Sequence, residues 1–205
     1  VIKAAFVDRD GVINEERHHV HRVEDFRLLP GATTGLRRLQ EHGWALVVVT
    51  NQAGIARGLY GEDDFARLTT HMRRVLAEAG VSLAGVYHCP HHPSAGPAPV
   101  ECACRKPKPG LLLRAAEELG ITLSQSILVG DKISDLQAGR AAGLRSCVLV
   151  ESGHPTDDAA RALADRVEAD LDRAAAWIVT TLAPQVHDLR HAPPPDGRSP
   201  GGSRA

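Results

Sequence analysis

The chain has 205 residues, and its 24 Lys and Arg nearly balance 25 Asp and Glu, for a formal net charge of −1. That balance gives no support to a nucleic-acid or anionic-membrane partner, and aromatics at 3% leave little for base stacking. The longest apolar stretches are strand-length, well short of the ~20 residues of a membrane-spanning helix, and the opening residues show no secretory pattern. The expectation is one soluble, cytoplasmic domain with ample chain for a full core.

Apolar runs of strand length recur at 2–7, 45–49, 85–88, 127–129 and 147–150. Helical patterns fall between them. Pro30-Gly31 opens one that ends at Gly43, and Glu62 to Ala79 carries Phe65, Leu68, Met72, Val75 and Leu76 at helical spacing before Gly80. Pro109 is expected at the first position of a third, which Gly120 ends. Ser134–Ala142, Asp157–Asp165 and Leu171–Leu182 complete the set. Alternating strand and helix implies an α/β, Rossmann-like three-layer domain, residues 1–183, with a mostly parallel sheet. Residues 184–205 are rich in Pro, Gly and Arg and are expected to be a disordered tail.

Chemistry-bearing residues stand where the apolar runs stop. The first run ends in Asp8-Arg9-Asp10-Gly11. Strand alternation would point Asp8 and Asp10 the same way, and two like charges that close call for a cation or a shared proton. The second run ends in Thr50-Asn51-Gln52, and the fourth in Gly130-Asp131-Lys132, with Asp135 four residues beyond Asp131. Between them lies Arg105-Lys106-Pro107. Carboxylates that bind Mg²⁺, small polar groups and a lysine together make an inventory for phosphoryl transfer. Each alone could be an ordinary solvated turn or loop. Cys89, His91, Cys102 and Cys104 form a Cys-x-His and Cys-x-Cys set whose thiolates and imidazole suit a structural, tetrahedral Zn²⁺, with His88 and His92 as alternative histidines. Cys147, inside an apolar run, reads as an ordinary buried thiol.

The ordered set Asp8-x-Asp10-Gly11, Thr50-Asn51, Lys106 and Gly130-Asp131-x3-Asp135 resembles the four motifs of the haloacid-dehalogenase (HAD) superfamily of phosphatases, over about residues 3–153. Thr50 to Gly58, Cys89-Pro90-His91-His92-Pro93 and Cys102-Ala103-Cys104-Arg105-Lys106-Pro107 are similar to the zinc-loop branch of heptose-bisphosphate phosphatases, which serve nucleotide-heptose and lipopolysaccharide-core synthesis in bacteria. Histidinol-phosphate phosphatases are the neighbouring branch.

The resemblance implies a capless enzyme, a monomer by analogy, acting on a small sugar bisphosphate. It implies Asp8 as nucleophile and Asp10 as general acid and base. Mg²⁺ would be held by Asp8, the Asp10 carbonyl and Asp131, and Zn²⁺ by Cys89, His91, Cys102 and Cys104. Thr50, Asn51 and Gln52 would meet the phosphoryl group, with Lys106 as its counter-charge and Asp135 orienting Lys106 or a metal-bound water. Arg105, Arg57 and Lys132 are candidates for a second phosphate, and Glu16 to His19 for the sugar. His18-His19 stands where the branch is expected to carry Gly-Tyr. The readings kept beside this one are a histidinol-phosphate phosphatase and a zinc-stabilised, non-catalytic binding module.

Overall fold

Six strands form one parallel sheet: β1 (Ala4–Val7), β2 (Ala45–Asn51), β3 (Leu83–Cys89), β4 (Ile127–Gly130), β5 (Ser146–Val150) and β6 (Arg166–Glu168), in the order β3-β2-β1-β4-β5-β6. This is the architecture of a computed structural model that describes residues 1–96 and 100–182; the tail expected over 184–205 lies outside them. Among the described residues six helices connect the strands, α1 (Ala32–Glu41), α2 (Ala53–Ala56), α3 (Glu62–Glu78), α4 (Gly110–Leu119), α5 (Ile133–Ala141) and α6 (Asp158–Leu163), and a seventh, α7 (Leu171–Thr181), follows β6.

Strand alternation divides the core into two layers. Ala5, Val7, Leu46, Val48, Ile127, Val129, Val148 and Val150 face Leu36 and Leu39 of α1, Leu68, Met72 and Leu76 of α3, and Ala174 and Ile178 of α7. The intervening residues, Ala4, Phe6, Val47, Val49, Leu128, Cys147 and Leu149, face Leu111 and Leu112 of α4 and Leu136 of α5. A strand covered on both faces reads as an unbroken apolar run, which is why these strands were visible in the sequence. Each fully buried leucine of the helices contributes roughly 1.5–3 kcal/mol.

Three local features differ from the sequence reading. A sixth strand, Arg166–Glu168, closes the edge beside β5. A single turn of helix, α2, follows β2 directly. Pro109 caps α4 from outside instead of opening it. Only a short 3-10 turn (Val23–Asp25) and α1 stand between β1 and β2, and α2 and α3 between β2 and β3, so neither connection holds a lid domain.

The strand order places β1 between β2 and β4, and the chain reverses its direction of winding at the β1/β4 pair. A crevice opens at the carboxyl ends of the strands at such a switch point. Val7 pairs with Val129, so the residues that follow β1 and β4 emerge side by side at that crevice.

Candidate active site

Asp8 follows the last residue of β1, and its N–H still donates to Val129 O (3.0 Å) across to β4. Its carboxylate accepts from the Arg9 N–H (2.8 Å) and lies 2.9 Å from Lys106 Nζ. The same ammonium is 2.7 Å from Asp135 Oδ1 and donates to Val49 O (2.8 Å). Lys106 is thus a buried cation held between two buried carboxylates. Burial alone would lower its pKa, but Asp135 and Asp8 outweigh that and raise it, so it stays charged.

Asp131 follows β4 and completes the acidic group: carboxylate oxygens of Asp8, Asp131 and Asp135 all lie within 4.8 Å of one another. Three carboxylates facing one ammonium leave an excess of negative charge. Asp131 Oδ1 is buried without a hydrogen-bond partner, an arrangement proteins avoid unless an ion or water serves the group. The donor set is all oxygen, which suits Mg²⁺. Gly11 brings the backbone close here: its φ is +86°, and a Cβ on it would lie 2.4 Å from Asp131 Oδ2.

Asp10 lines the same cleft as Asp8, although β1 ends at Val7 and residue 10 lies beyond the strand. Its carboxylate accepts from Arg9 Nε (3.1 Å) and Nη2 (3.0 Å), Asn14 Nδ2 (2.9 Å) and Gln52 Nε2 (3.1 Å). Burial pushes its pKa up, but the Arg9 guanidinium and these hydrogen bonds win and hold it below the usual value. Arg9 itself is 1% exposed and also donates to Val20 O (2.8 Å). The sequence offered no sign of this burial. Arg9→Met should therefore cost about 3 kcal/mol or more, since breaking a buried pair leaves Asp10 uncompensated. Urea unfolding measures that loss, and the acid limb of the pH–rate profile should move to higher pH as the Asp10 carboxyl rises.

Thr50 and Asn51 are the last residues of β2. Thr50 Oγ1 accepts from Gln52 Nε2 (2.8 Å), and Gln52 Oε1 accepts from the Tyr60 hydroxyl (2.5 Å). The Asn51 amide brackets the Lys106 backbone, Nδ2 donating to its carbonyl (3.0 Å) and Oδ1 accepting from its N–H (3.1 Å). The side chains of Asn51 and Gln52 are thus occupied by protein groups, one fixing Lys106 and the other Asp10. Asp135 accepts from the Lys132 N–H (3.1 Å) through its second oxygen.

Asp8, Asp10, Thr50, Asn51, Gln52, Lys106 and Asp135 line a cleft of about 480 Å³, together with Glu16, His18, His19, Arg57, His92, Arg105, Lys132 and His154. His18 and His19 both have left-handed backbones, φ +56° and +63°. His154 carried no signal in the sequence reading beyond its place shortly after the β5 run. Its Nδ1–H donates to Asp131 Oδ2 (2.6 Å).

At the carboxyl end of β3, Cys89 Sγ lies 3.5 Å from Cys102 Sγ and 3.2 Å from Cys104 Sγ, and Cys102 and Cys104 are 3.3 Å apart. His91 Nδ1 is 3.5 Å from Cys104 Sγ and 3.9 Å from Cys89 Sγ. No pair is bonded as a disulfide. Tetrahedral bonds of ~2.3 Å place sulfurs about 3.8 Å apart, so this slightly tighter group fits one Zn²⁺. The other two histidines are engaged elsewhere. His88 pairs with Glu62 (2.8 Å) and stacks on Phe65, while His92 Nδ1 accepts from the Ser94 N–H (3.2 Å). Cys147 is buried in β5 as an ordinary thiol. Arg105 Nη1 donates to His91 O (3.2 Å), joining the loop to the cleft.

The burial of Asp8 pushes its carboxyl up to about 7, with Lys106 opposing and Asp135 and Asp131 adding to the rise; Asp131 is raised as well, by burial first and Asp135 next. Raised carboxyls hold protons in the native state that the unfolded chain releases above its ordinary value of 3.8. The unfolded state then binds fewer protons, so this contribution to stability falls as pH rises from about 4 to about 7 and is flat above. Urea titrations in Mg²⁺-free buffer should show that fall, with a shallower slope in Asp8→Asn.

Comparison with known proteins agrees with this geometry. A family model described as HAD-hydrolase-like matches residues 103–183. The chain is 44% identical over 184 residues to the D-glycero-beta-D-manno-heptose-1,7-bisphosphate 7-phosphatase of Yersinia pestis, covering 89% of this chain and 92% of that protein. It is 46% identical over 160 residues to the corresponding alpha enzyme of Photorhabdus laumondii, covering 77% and 87%. The crystal structure of D,D-heptose 1,7-bisphosphate phosphatase from B. bronchiseptica, complexed with magnesium and phosphate, superposes with a TM-score of 0.75 at 32% identity, covering 87% and 99% of the two chains. With the capless α/β sheet, the carboxylate group around Lys106 and the Cys/His loop in place, these similarities mean that the chain belongs to the heptose-1,7-bisphosphate 7-phosphatase family of HAD-like hydrolases.

Proposed function

We propose that this protein hydrolyses the 7-phosphate of D-glycero-D-manno-heptose 1,7-bisphosphate through an aspartyl-phosphate. The observation that carries the reading is Lys106, seated between Asp8 and Asp135, in a carboxylate group whose third member, Asp131, has one buried oxygen without a partner. An Asp8 carboxylate oxygen attacks phosphorus, and the bond to the sugar oxygen breaks as the aspartyl-phosphate forms. Asp8, the Asp10 carbonyl and Asp131 would hold Mg²⁺, which when bound offsets the repulsion between carboxylate and phosphate. Lys106 supplies fixed positive charge to the phosphoryl oxygens, and its preset position avoids reorganisation during the reaction. Thr50 lines the same cleft.

Asp10 protonates the leaving oxygen and then takes a proton from the water that cleaves the aspartyl-phosphate. Its resting carboxylate, stabilised by Arg9, suits the second step. A phosphate dianion beside it raises its pKa and loads the acid form for the first. Arg105, with Arg57 and Lys132 lining the same cleft, meets the second phosphate, where a guanidinium can fork two oxygens. Glu16 and His19 face the sugar. Within this reading the protein works as a monomer in the bacterial cytoplasm, without a nucleic-acid or membrane partner. The near-neutral charge is consistent with that, and among the described residues no helix is long and apolar enough to cross a membrane.

The test is phosphate release with Mg²⁺ from each anomer of heptose 1,7-bisphosphate, from fructose 1,6-bisphosphate and from histidinol phosphate. A kcat/KM for one heptose anomer about 100-fold above the others, a difference of some 2.7 kcal/mol in transition-state binding, is the expected result. Preference for histidinol phosphate would keep the role of Asp8 and overturn the substrate. No turnover on any of them would favour the non-catalytic binding module.

A further inference from the structure

Asp131 is gripped on one side only. Its Oδ2 accepts both the His154 N–H (3.0 Å) and the His154 Nδ1–H (2.6 Å). The same oxygen is wedged between two glycines: a Cβ on Gly153 would lie 2.1 Å from it and one on Gly11 2.4 Å. Ser152 Oγ donates to Gly11 O (2.8 Å), tying the loop after β5 to the turn after β1. Oδ1, by contrast, is buried and has no partner. The outer edge of the His154 ring is turned to Glu16, whose Oε2 lies 3.8 Å from Nε2.

We propose that His154 is a positioning residue for the metal. By occupying Oδ2 twice, it leaves Oδ1 as the single oxygen that Asp131 can offer, and it fixes the carboxylate plane so that Oδ1 faces the acidic group formed with Asp8 and Asp135. A carboxylate free to rotate would spend part of its time with either oxygen forward, and binding Mg²⁺ would then carry the entropy of fixing it. Mg²⁺ tolerates little departure from its preferred geometry, so this preorganisation acts on affinity. His154 does not touch the reacting atoms in this arrangement.

The proposal rests on the reading of Asp131 as a metal carboxylate, and the experiment separates the two. Mg²⁺ binding is followed by calorimetry and by the rise in melting temperature with Mg²⁺, alongside turnover. His154→Ala is expected to weaken Mg²⁺ binding about tenfold. Its kcat at saturating Mg²⁺ should change by less than about threefold, the signature of lost binding without lost chemistry. His154→Asn places an amide N–H where Nδ1 stood and should restore most of the affinity. The ring is only partly buried, with its side chain 35% exposed, so both variants are expected to fold. Unchanged Mg²⁺ affinity in His154→Ala, or an Asn variant no better than Ala, would overturn the proposal. Asp131→Asn is the control for the underlying reading: it should abolish the Mg²⁺ response, and a retained response there would mean that Asp131 is not a metal ligand.

Discussion

Asp8→Asn is expected to lose turnover by on the order of 10⁴-fold or more while the protein folds as before, because removing a nucleophile removes the reaction path itself. The amide is nearly isosteric with the carboxylate. It keeps an oxygen that can accept from Lys106 Nζ and from the Arg9 N–H, the two contacts that Asp8 Oδ1 makes now. What it cannot do is attack phosphorus. The stability effect should have the opposite sign. Burial disfavours the ionised form of Asp8 strongly enough to push its carboxyl up to about 7 against the pull of Lys106. At pH 8 in Mg²⁺-free buffer the wild-type protein therefore carries a buried charge that the Asn variant lacks, and the variant should melt a few degrees higher, at roughly 2–4 °C per kcal/mol for a domain of this size. Added Mg²⁺ should raise the wild-type melting temperature more than that of the variant, narrowing or reversing the gap. Calorimetry with and without Mg²⁺, run beside a phosphate-release assay, reads both effects. Appreciable turnover by the Asn variant would sink the assignment of Asp8, whatever the stability data show.

The centre of this site was legible because each of its groups ends a buried strand. An apolar run that stops at Asp8, at Thr50 or at Asp131 marks both the strand and the side of the sheet on which the polar residue emerges. The omissions have equally local causes. Asp10 shares the cleft with Asp8, but it lies beyond β1, and alternation gave no sign that Arg9, Asn14 and Gln52 would hold its carboxylate. β6 is three residues long and not fully buried, so no apolar run announces it. Arg9 and His154 were invisible for a different reason. An arginine is buried only if partners surround it, and one of its partners is the carbonyl of Val20, which no periodicity places nearby. His154 meets Asp131 only because β4 and β5 are neighbours in the sheet. Asn51 lines the cleft, and that its amide also holds Lys106, far along the chain, could not be read in advance, because it requires the β2 end and the loop after Cys104 to meet.

That meeting makes the zinc loop the second place where one change should have a large effect. Cys104→Ser is expected to lose the bound zinc, to destabilise the protein by at least about 3 kcal/mol, since metal binding here is folding free energy, and to lower kcat/KM about 100-fold. The ligands converge at the margin of the core: Val100 is exposed, and Cys102 and Cys104 are only partly buried against it. From Cys104 the chain passes directly to Arg105 and Lys106. Arg105 is held by the carbonyl of His91, itself a member of the cluster, and Gly110 opens α4 with its N–H on the Ala103 carbonyl. Releasing one ligand loosens both tethers, while Lys106 Nζ must stay within 2.9 Å of Asp8 and 2.7 Å of Asp135 to place its charge. A displacement of about 1 Å at such a group is enough for a 100-fold loss. Metal analysis should find one zinc per chain in the wild type and none in Cys104→Ser, and Cys147→Ala, which alters a buried thiol of β5 outside the cluster, should keep its zinc. If zinc-free Cys104→Ser kept the wild-type kcat/KM, the loop would be a stabilising clasp with no hold on Lys106.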